Sequence, residues 1–337
     1  MRLVGKWIPV ALVASVALLV SAVAHAGPAG PVVAVGDFNG DGKSDLLIQD
    51  SSSGLLYAFL CDGTTITGQG PVVTVPAGFT LAGVADINND KKSDIILEQT
   101  STGLLYAFLI DGTTITGQGP IVTVPAGFTV AGWADINGDG ASDLILEQTA
   151  SGLLYAFFLN GTTLLPGDGP IVTVPSGFVV SGFGDINGDG KTDLALEQSA
   201  SGLIYYFPLD GLTLLPGSGP IVTVPSGFTV VGYGDHNGDS KADLTIVQTS
   251  SGLIYYFPLD GTTLLPGSGP IVTAPSGFPP VSQGDFNGDQ KADVLLEQTA
   301  SGLLYWFPVD GTTLLPGSGP IVTVPSGFSF QSPSLSS

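Results

Sequence analysis

Val35-Gly36-Asp37-Phe38-Asn39-Gly40-Asp41-Gly42-Lys43-Ser44-Asp45-Leu46-Leu47 is the stretch on which the fold turns, because it comes back five more times. Its copies begin at Asp86, Asp135, Asp185, Asp235 and Asp285, spaced 49, 49, 50, 50 and 50 residues from one start to the next. A fixed period of about 50 residues marks a repeat architecture, in which each unit is one supersecondary element stacked on its neighbours. Six units fill residues 27–337 and leave no room for a second domain.

Within a unit every signal is β. In the fifth, Phe228–Gly234 reads as a short strand and Asp235–Asp243 as a loop, followed by a strand over 244–249 and a turn at Ser250-Ser251-Gly252. A third strand is expected over 253–259, a turn at Asp260-Gly261 and a fourth strand over 271–274. No window is long enough for an amphipathic helix. A four-stranded antiparallel sheet that is apolar on both faces must be covered on both, and radial repetition does this: the expected fold is an all-β propeller. A linear solenoid has shorter turns and distinct caps, and a transmembrane barrel needs stricter alternation. Six blades are expected, with seven left open, because residues 327–331 resemble the start of a further unit. Pro31–Gly36 supplies a first strand for unit one, and one terminal strand is expected to complete the other's blade.

Before the repeats stand Arg2, Lys6, an apolar run over 8–23 and Ala24-His25-Ala26. This reads as a secretory signal cleaved after residue 26, with an uncleaved anchor as the rival, so the chain is expected to be secreted, periplasmic or at the cell surface. The remaining chain has six lysines, no arginine and one cysteine, Cys61, too few for an internal disulfide. The full chain carries 29 acids against 8 bases, a formal charge of −21, yet is 43% hydrophobic. That balance excludes disorder and argues against nucleic acid and anionic membranes as partners; no membrane insertion of the mature chain is expected.

The loop carries the chemistry. Asp-x-Asn-x-Asp-x-x-x-Asp places hard oxygens at positions 1, 3, 5 and 9, and the backbone carbonyl of position 7 can add another, which suits calcium better than magnesium. The candidate ligands are Asp37, Asn39, Asp41 and Asp45; Asp86, Asn88, Asp90 and Asp94; Asp135, Asn137, Asp139 and Asp143; Asp185, Asn187, Asp189 and Asp193; Asp235, Asn237, Asp239 and Asp243; and Asp285, Asn287, Asp289 and Asp293. Three carboxylates about 5 Å apart repel by roughly 3 kcal/mol per pair at an effective dielectric of 20, a cost that a divalent ion removes. Up to six Ca²⁺ are expected. The competing reading is a set of solvated Asp-Asn-Gly turns. An EF-hand is excluded because position 12 is an apolar residue (Ile48, Leu97, Leu146, Leu196, Ile246 or Leu296) instead of glutamate.

The unit resembles the FG-GAP/VCBS repeat shared by integrin alpha-subunit propellers, fungal propeller lectins and many exported bacterial proteins. That resemblance spans about residues 31–330 and implies calcium held between the first and second strands of each blade, at the periphery of the ring. The Gly42 position becomes Lys91, Ser240 and Gln290 in units two, five and six, and the Gly40 position becomes Asn89 in unit two. If these positions need positive φ, each substitution costs about 1 kcal/mol, Asn least. The second loop is expected to bind most weakly.

No catalytic constellation stands out. His236 occupies a position that is Phe or Ile elsewhere and reads as an apolar substitute. Glu98, Glu147, Glu197 and Glu297 recur at one strand position and read as structural carboxylates. No zinc cluster, nucleophile elbow or phosphate loop is present, so no enzyme is expected. Residues that vary between otherwise similar blades are the candidates for ligand binding: Trp133, Phe183 and Tyr233 before the loops, and Tyr206, Tyr256 and Trp306 on the third strand. Their rings could stack on sugars, or simply fill space between blades. The sequence therefore points to an exported calcium-binding propeller acting as a binding or adhesion module for carbohydrate or a surface protein. A structural or self-assembling surface protein ranks second, and a carbohydrate-active enzyme third.

Overall fold

The computed structural model describes residues 34–325 and 327–329; the expected signal over 1–26 lies outside them. Six four-stranded antiparallel sheets follow one another along the chain. Blade 1 is built from Ala34–Gly36, Asp45–Asp50, Leu55–Asp62 and Thr65–Thr74, and blade 5 from Phe228–Gly234, Asp243–Gln248, Leu253–Phe257 and Gly269–Thr273. The first strands of successive blades touch one another, and that of blade 6 touches that of blade 1, so they line the axis of a closed six-bladed ring.

The unit that seemed to open a seventh blade instead completes the first. Phe328 and Ser329 pair with Asp50 and Gln49 of the second strand, while Ala34, Val35 and Gly36 pair with Leu47, Leu46 and Asp45 of that same strand. In blade 2 one continuous strand, Phe79–Ala85, spans the equivalent positions. The closing strand is thus shared between the two ends of the chain.

The second strands are apolar on both faces because each blade is sandwiched between two others. Ile96 and Leu105 of blade 2 pack with Leu144 and Leu146 of blade 3, all but fully buried. Each side chain of this kind contributes about 1.5–3 kcal/mol by leaving water. The first strand of blade 2 bulges between Leu81 and Gly83, which explains its broken alternation. Blades 3–6 differ from 1 and 2 at the rim. The third strand ends early at Phe157, Phe207, Phe257 and Phe307, before Phe158 in blade 3 and before Pro208, Pro258 and Pro308 in blades 4–6, and Pro166, Pro216, Pro266 and Pro316 interrupt the fourth strand in all four. A two-residue hairpin such as Leu259–Asp260 with Thr263–Leu264 stands between the pieces, as expected where proline removes a ladder donor. Among the described residues, no helix is long and apolar enough to cross a membrane.

Candidate metal loops and ligand faces

Each loop joins the first and second strands and is folded by its own side chains. In blade 1, Asp37 Oδ1 accepts from the Gly40 amide at 2.7 Å and Oδ2 from the Gly42 amide at 2.8 Å. Asn39 Oδ1 accepts from the Asp41 amide and Asp41 Oδ1 from the Lys43 amide, both at 2.9 Å. Blade 4 repeats the scheme with Asp185, Asn187 and Asp189. Positions 4 and 6 do take positive φ, and among the described residues the four non-glycines with positive φ are Asn89, Lys91, Ser240 and Gln290, at 59°, 66°, 65° and 66°. The expected strain falls at those four departures.

Position 9 behaves differently from positions 1, 3 and 5. Asp45, Asp94, Asp143, Asp193, Asp243 and Asp293 are all fully buried. Asp45 Oδ2 accepts from the Phe38 amide at 2.9 Å and Oδ1 from the Cys61 amide at 2.7 Å, so the carboxylate clamps the loop to the third strand. Burial pushes Asp45, Asp94, Asp143, Asp243 and Asp293 up to about 7 and Asp193 up to about 6, with the strand amides pulling the other way. Asp143 keeps only the Leu159 amide, at 3.2 Å, because the Ile136 amide turns to the Ala134 carbonyl; its Oδ2 is buried without a partner.

The donor set is made of hard oxygens and fits calcium in kind. In arrangement, among the described residues no group of three His, Cys, Asp or Glu side chains is placed to hold a metal. The third acid of each loop faces the strand amides, leaving two carboxylates and an amide at the exposed end.

Neighbouring loops are linked around the ring. The Ser93 amide donates to the Asp37 carbonyl, and the Ser44 amide donates to the Asp285 carbonyl across the closure, both at 2.5 Å. Five of the six loop lysines are held in ion pairs with the rim hairpins: Lys43 with Asp62, Lys92 with Asp111, Lys191 with Asp210, Lys241 with Asp260 and Lys291 with Asp310, at 2.6–2.9 Å. Blade 3 has Ala141 and Asn160 instead.

The aromatic candidates fall into two groups. Tyr206, Tyr256 and Trp306 are only 2–6% exposed, which corrects the expectation of open stacking faces. Their polar ends serve the loops: Trp306 Nε1 donates to Asp293 Oδ2 at 2.8 Å, and the Tyr256 hydroxyl donates to Asp243 Oδ2 at 3.0 Å while accepting from Asn237 Nδ2. Asn187 Nδ2 donates likewise to the Tyr206 hydroxyl. Trp133, Phe183 and Tyr233 are half-buried and lie over Gly83, Gly132 and Gly182 of the preceding blade, where a Cβ would collide with their rings. Trp133 Nε1 donates to the Ala82 carbonyl at 3.0 Å, and the Tyr233 hydroxyl bonds that of Ser181. Filling the space between blades is the use the geometry gives them.

His236 is fully buried, and burial lowers its pKa. Its Nδ1 donates to the Ala292 carbonyl, which leaves Nε2 of the neutral ring to accept from the Thr245 hydroxyl at 2.8 Å; the Gln283 side chain lies 3.1 Å from the same Nε2 and can bond it only by turning its amide NH2, which is otherwise buried without a partner, toward the ring. Sequence reasoning treated His236 alone. The available signal was that Thr245 and Gln283 also replace apolar residues at their repeat positions. Glu98, Glu147 and Glu297 have pKa values raised by burial, Glu297 to about 7.

Residues 37–97 match the FG-GAP-like repeat family. Among solved structures, the fold resembles an Agrocybe aegerita lectin described as recognising non-reducing terminal N-acetylglucosamine. The TM-score is 0.55 at 13% identity, over 87% of this chain and 80% of that one. It also resembles part of the Photorhabdus luminescens Tc holotoxin pore, with a TM-score of 0.55 at 18% identity, over 85% of this chain but only 14% of that chain. These likenesses concern the fold. No curated protein matches the sequence.

Proposed function

The chain is a six-bladed propeller that carries an FG-GAP-like repeat, and from that premise we propose that it is an exported, calcium-stabilised module that binds without catalysis. Its ligand is a glycan or a surface protein. The observation that carries the calcium reading is the sixfold recurrence of one loop whose backbone is wrapped around side-chain oxygens at positions 1, 3 and 5. Calcium, when bound, supplies a divalent charge that offsets the acids of each loop. Asp37, Asn39 and Asp41 and their equivalents are the residues that would hold it, while position 9 anchors the loop and would reach the ion only by turning from the strand amides. The second loop, with Lys91 at position 6, is the weakest.

Binding is favoured over catalysis because His236 is committed to structural partners and the recurring glutamates stand no more than one to a blade. The lectin-like fold is consistent with a glycan ligand. The calcium reading is tested by calorimetry with the apo protein and by melting in excess EGTA: several ions per chain and a large fall in Tm are expected, whereas unchanged melting with chelator sinks it. A glycan array tests the ligand, and hydrolysis of any polysaccharide by the purified chain would reverse the choice between binder and enzyme.

A further inference from the structure

The seam between blades 5 and 6 departs from the repeat at several positions that converge on one place. On the face away from the metal loops, a cleft of about 250 Å³ opens between the 2–3 turn of blade 5 and the segment that leads into blade 6. Val247 stands there where Glu98, Glu147, Glu197 and Glu297 stand in four other blades, and Ala274 where the other five have valine. Pro279 and Pro280 take the place of pairs such as Thr229-Val230. The first strand of blade 6 is correspondingly shorter, Pro280–Gly284 against Phe228–Gly234 in blade 5.

Each change acts in the same physical direction. Valine to alanine removes two methyl groups from a buried wall, proline strips ladder donors from the strand start, and glutamate to valine removes the charge. None of the residues lining the cleft is charged, in a chain of formal charge −21. Phe278, Pro279 and Pro280 line it together with Ser250, Ser251 and Ser276.

We propose that this cleft is a binding site for a small uncharged aromatic molecule of about one ring, such as a phenol. The volume lies just below the range of drug-sized pockets, which limits the occupant to roughly a single ring. A carboxylate-bearing ring would lose its hydration against apolar walls with no cation to compensate. The site does not depend on the loops holding calcium or on a glycan binding elsewhere.

The test uses the full chain, p-cresol, p-hydroxybenzoate and methyl N-acetylglucosaminide as probes, and saturation-transfer NMR with calorimetry as readouts. p-Cresol is expected to bind and the benzoate to bind at least about tenfold more weakly. Val247→Glu with Ala274→Val restores the residues of neighbouring blades and is expected to keep the melting temperature while weakening p-cresol binding about tenfold or more. Ala274→Val alone, which only fills the wall, is expected to weaken it in the same direction. Equal binding of p-cresol to the wild type and to both variants overturns the proposal, as does absence of binding to the wild type. Displacement of p-cresol by the sugar would make the cleft a glycan site and overturn the proposal as well, whereas glycan binding without displacement leaves the aromatic assignment supported.

Discussion

Asn89 Nδ2 donates to the main-chain carbonyl of Asp139 at 2.7 Å, bridging the loops of blades 2 and 3 where the other five seams lay a lysine stem over a glycine. Lys92 covers Gly40 in this way, and Lys43 covers Gly288 across the closure. Three departures belong together: Asn89 for glycine, Ala141 for lysine, and Asn160 for the aspartate that the lysine would pair with. Ala141→Lys alone is expected to destabilise by about 1–2 kcal/mol, because its stem meets Asn89 and its charge meets no acid at position 160. Adding Asn89→Gly and Asn160→Asp is expected to restore stability, a non-additive result read by urea unfolding of the single and triple variants. Additive losses would show that the three positions are independent.

The His236, Thr245 and Gln283 group allows a parallel exchange. The corresponding residues at the seam of blades 1 and 2 are Phe38, Leu47 and Val84, which pack as one apolar cluster. His236→Phe alone leaves the buried Thr245 hydroxyl without its ring partner, and the Gln283 amide against an apolar ring, and is expected to cost about 1–3 kcal/mol. The triple change His236→Phe, Thr245→Leu, Gln283→Val reproduces a seam the protein already builds and is expected to recover most of that loss. Denaturant midpoints of the two variants decide the matter.

Stability of the metal-free protein is expected to rise as pH falls from about 8 to about 5. The six position-9 aspartates have folded-state values of about 6 to 7, and Glu297 of about 7, above those of an unfolded chain. The folded state therefore holds extra protons in this window, and the stability they contribute is lost as pH rises through the folded values. His236 opposes the trend, since its lowered value costs stability as pH falls below its ordinary value, but it is one group against seven. In EGTA the melting temperature is expected to be about 5 °C or more higher at pH 5.5 than at pH 8. With saturating calcium the difference is expected to shrink, and a flat profile in EGTA would count against buried, proton-hungry carboxylates.

The repeat, the strand count per blade and the position of the turns were legible because each is local: turn residues and strand runs lie within one unit of sequence. What the packing of one segment on another decides was not. The inward turn of Asp45 depends on amides of Phe38 and Cys61, seven residues before it and sixteen after it, and nothing in the loop motif announces that a loop amide and a strand amide take both its oxygens. The burial of Tyr206, Tyr256 and Trp306 likewise follows from the packed neighbouring blade, so aromatic substitution at a variable position read equally well as an exposed face. Pro258 was visible in the sequence, yet the apolar run continued through it, and only the ladder shows the strand ending at Phe257.

The shared strand of blade 1 makes ring closure testable. The Gly327 carbonyl accepts from both the amide and the hydroxyl of Ser51, at 2.8 and 2.7 Å, and the Phe328 ring stands edge-on to Tyr57 at 6.4 Å. Deleting residues 327–337 would open the edge of the second strand at Gln49–Asp50 that faces Phe328 and Ser329 and leave Tyr57 uncovered, while Ala34–Gly36 still held the other end and the third strand the other edge. The ring is then expected to stay assembled but to melt about 5 °C or more lower, and the newly exposed strand edge is expected to promote association between copies. Phe328→Ala, which keeps the backbone pairing and removes only the ring contact, is expected to lower melting by less and to leave the protein as dispersed as the parent. Calorimetric melting and light scattering of the two variants separate the parts: equal effects would assign the closure to the aromatic contact, and a larger effect of the deletion assigns it to the strand pairing.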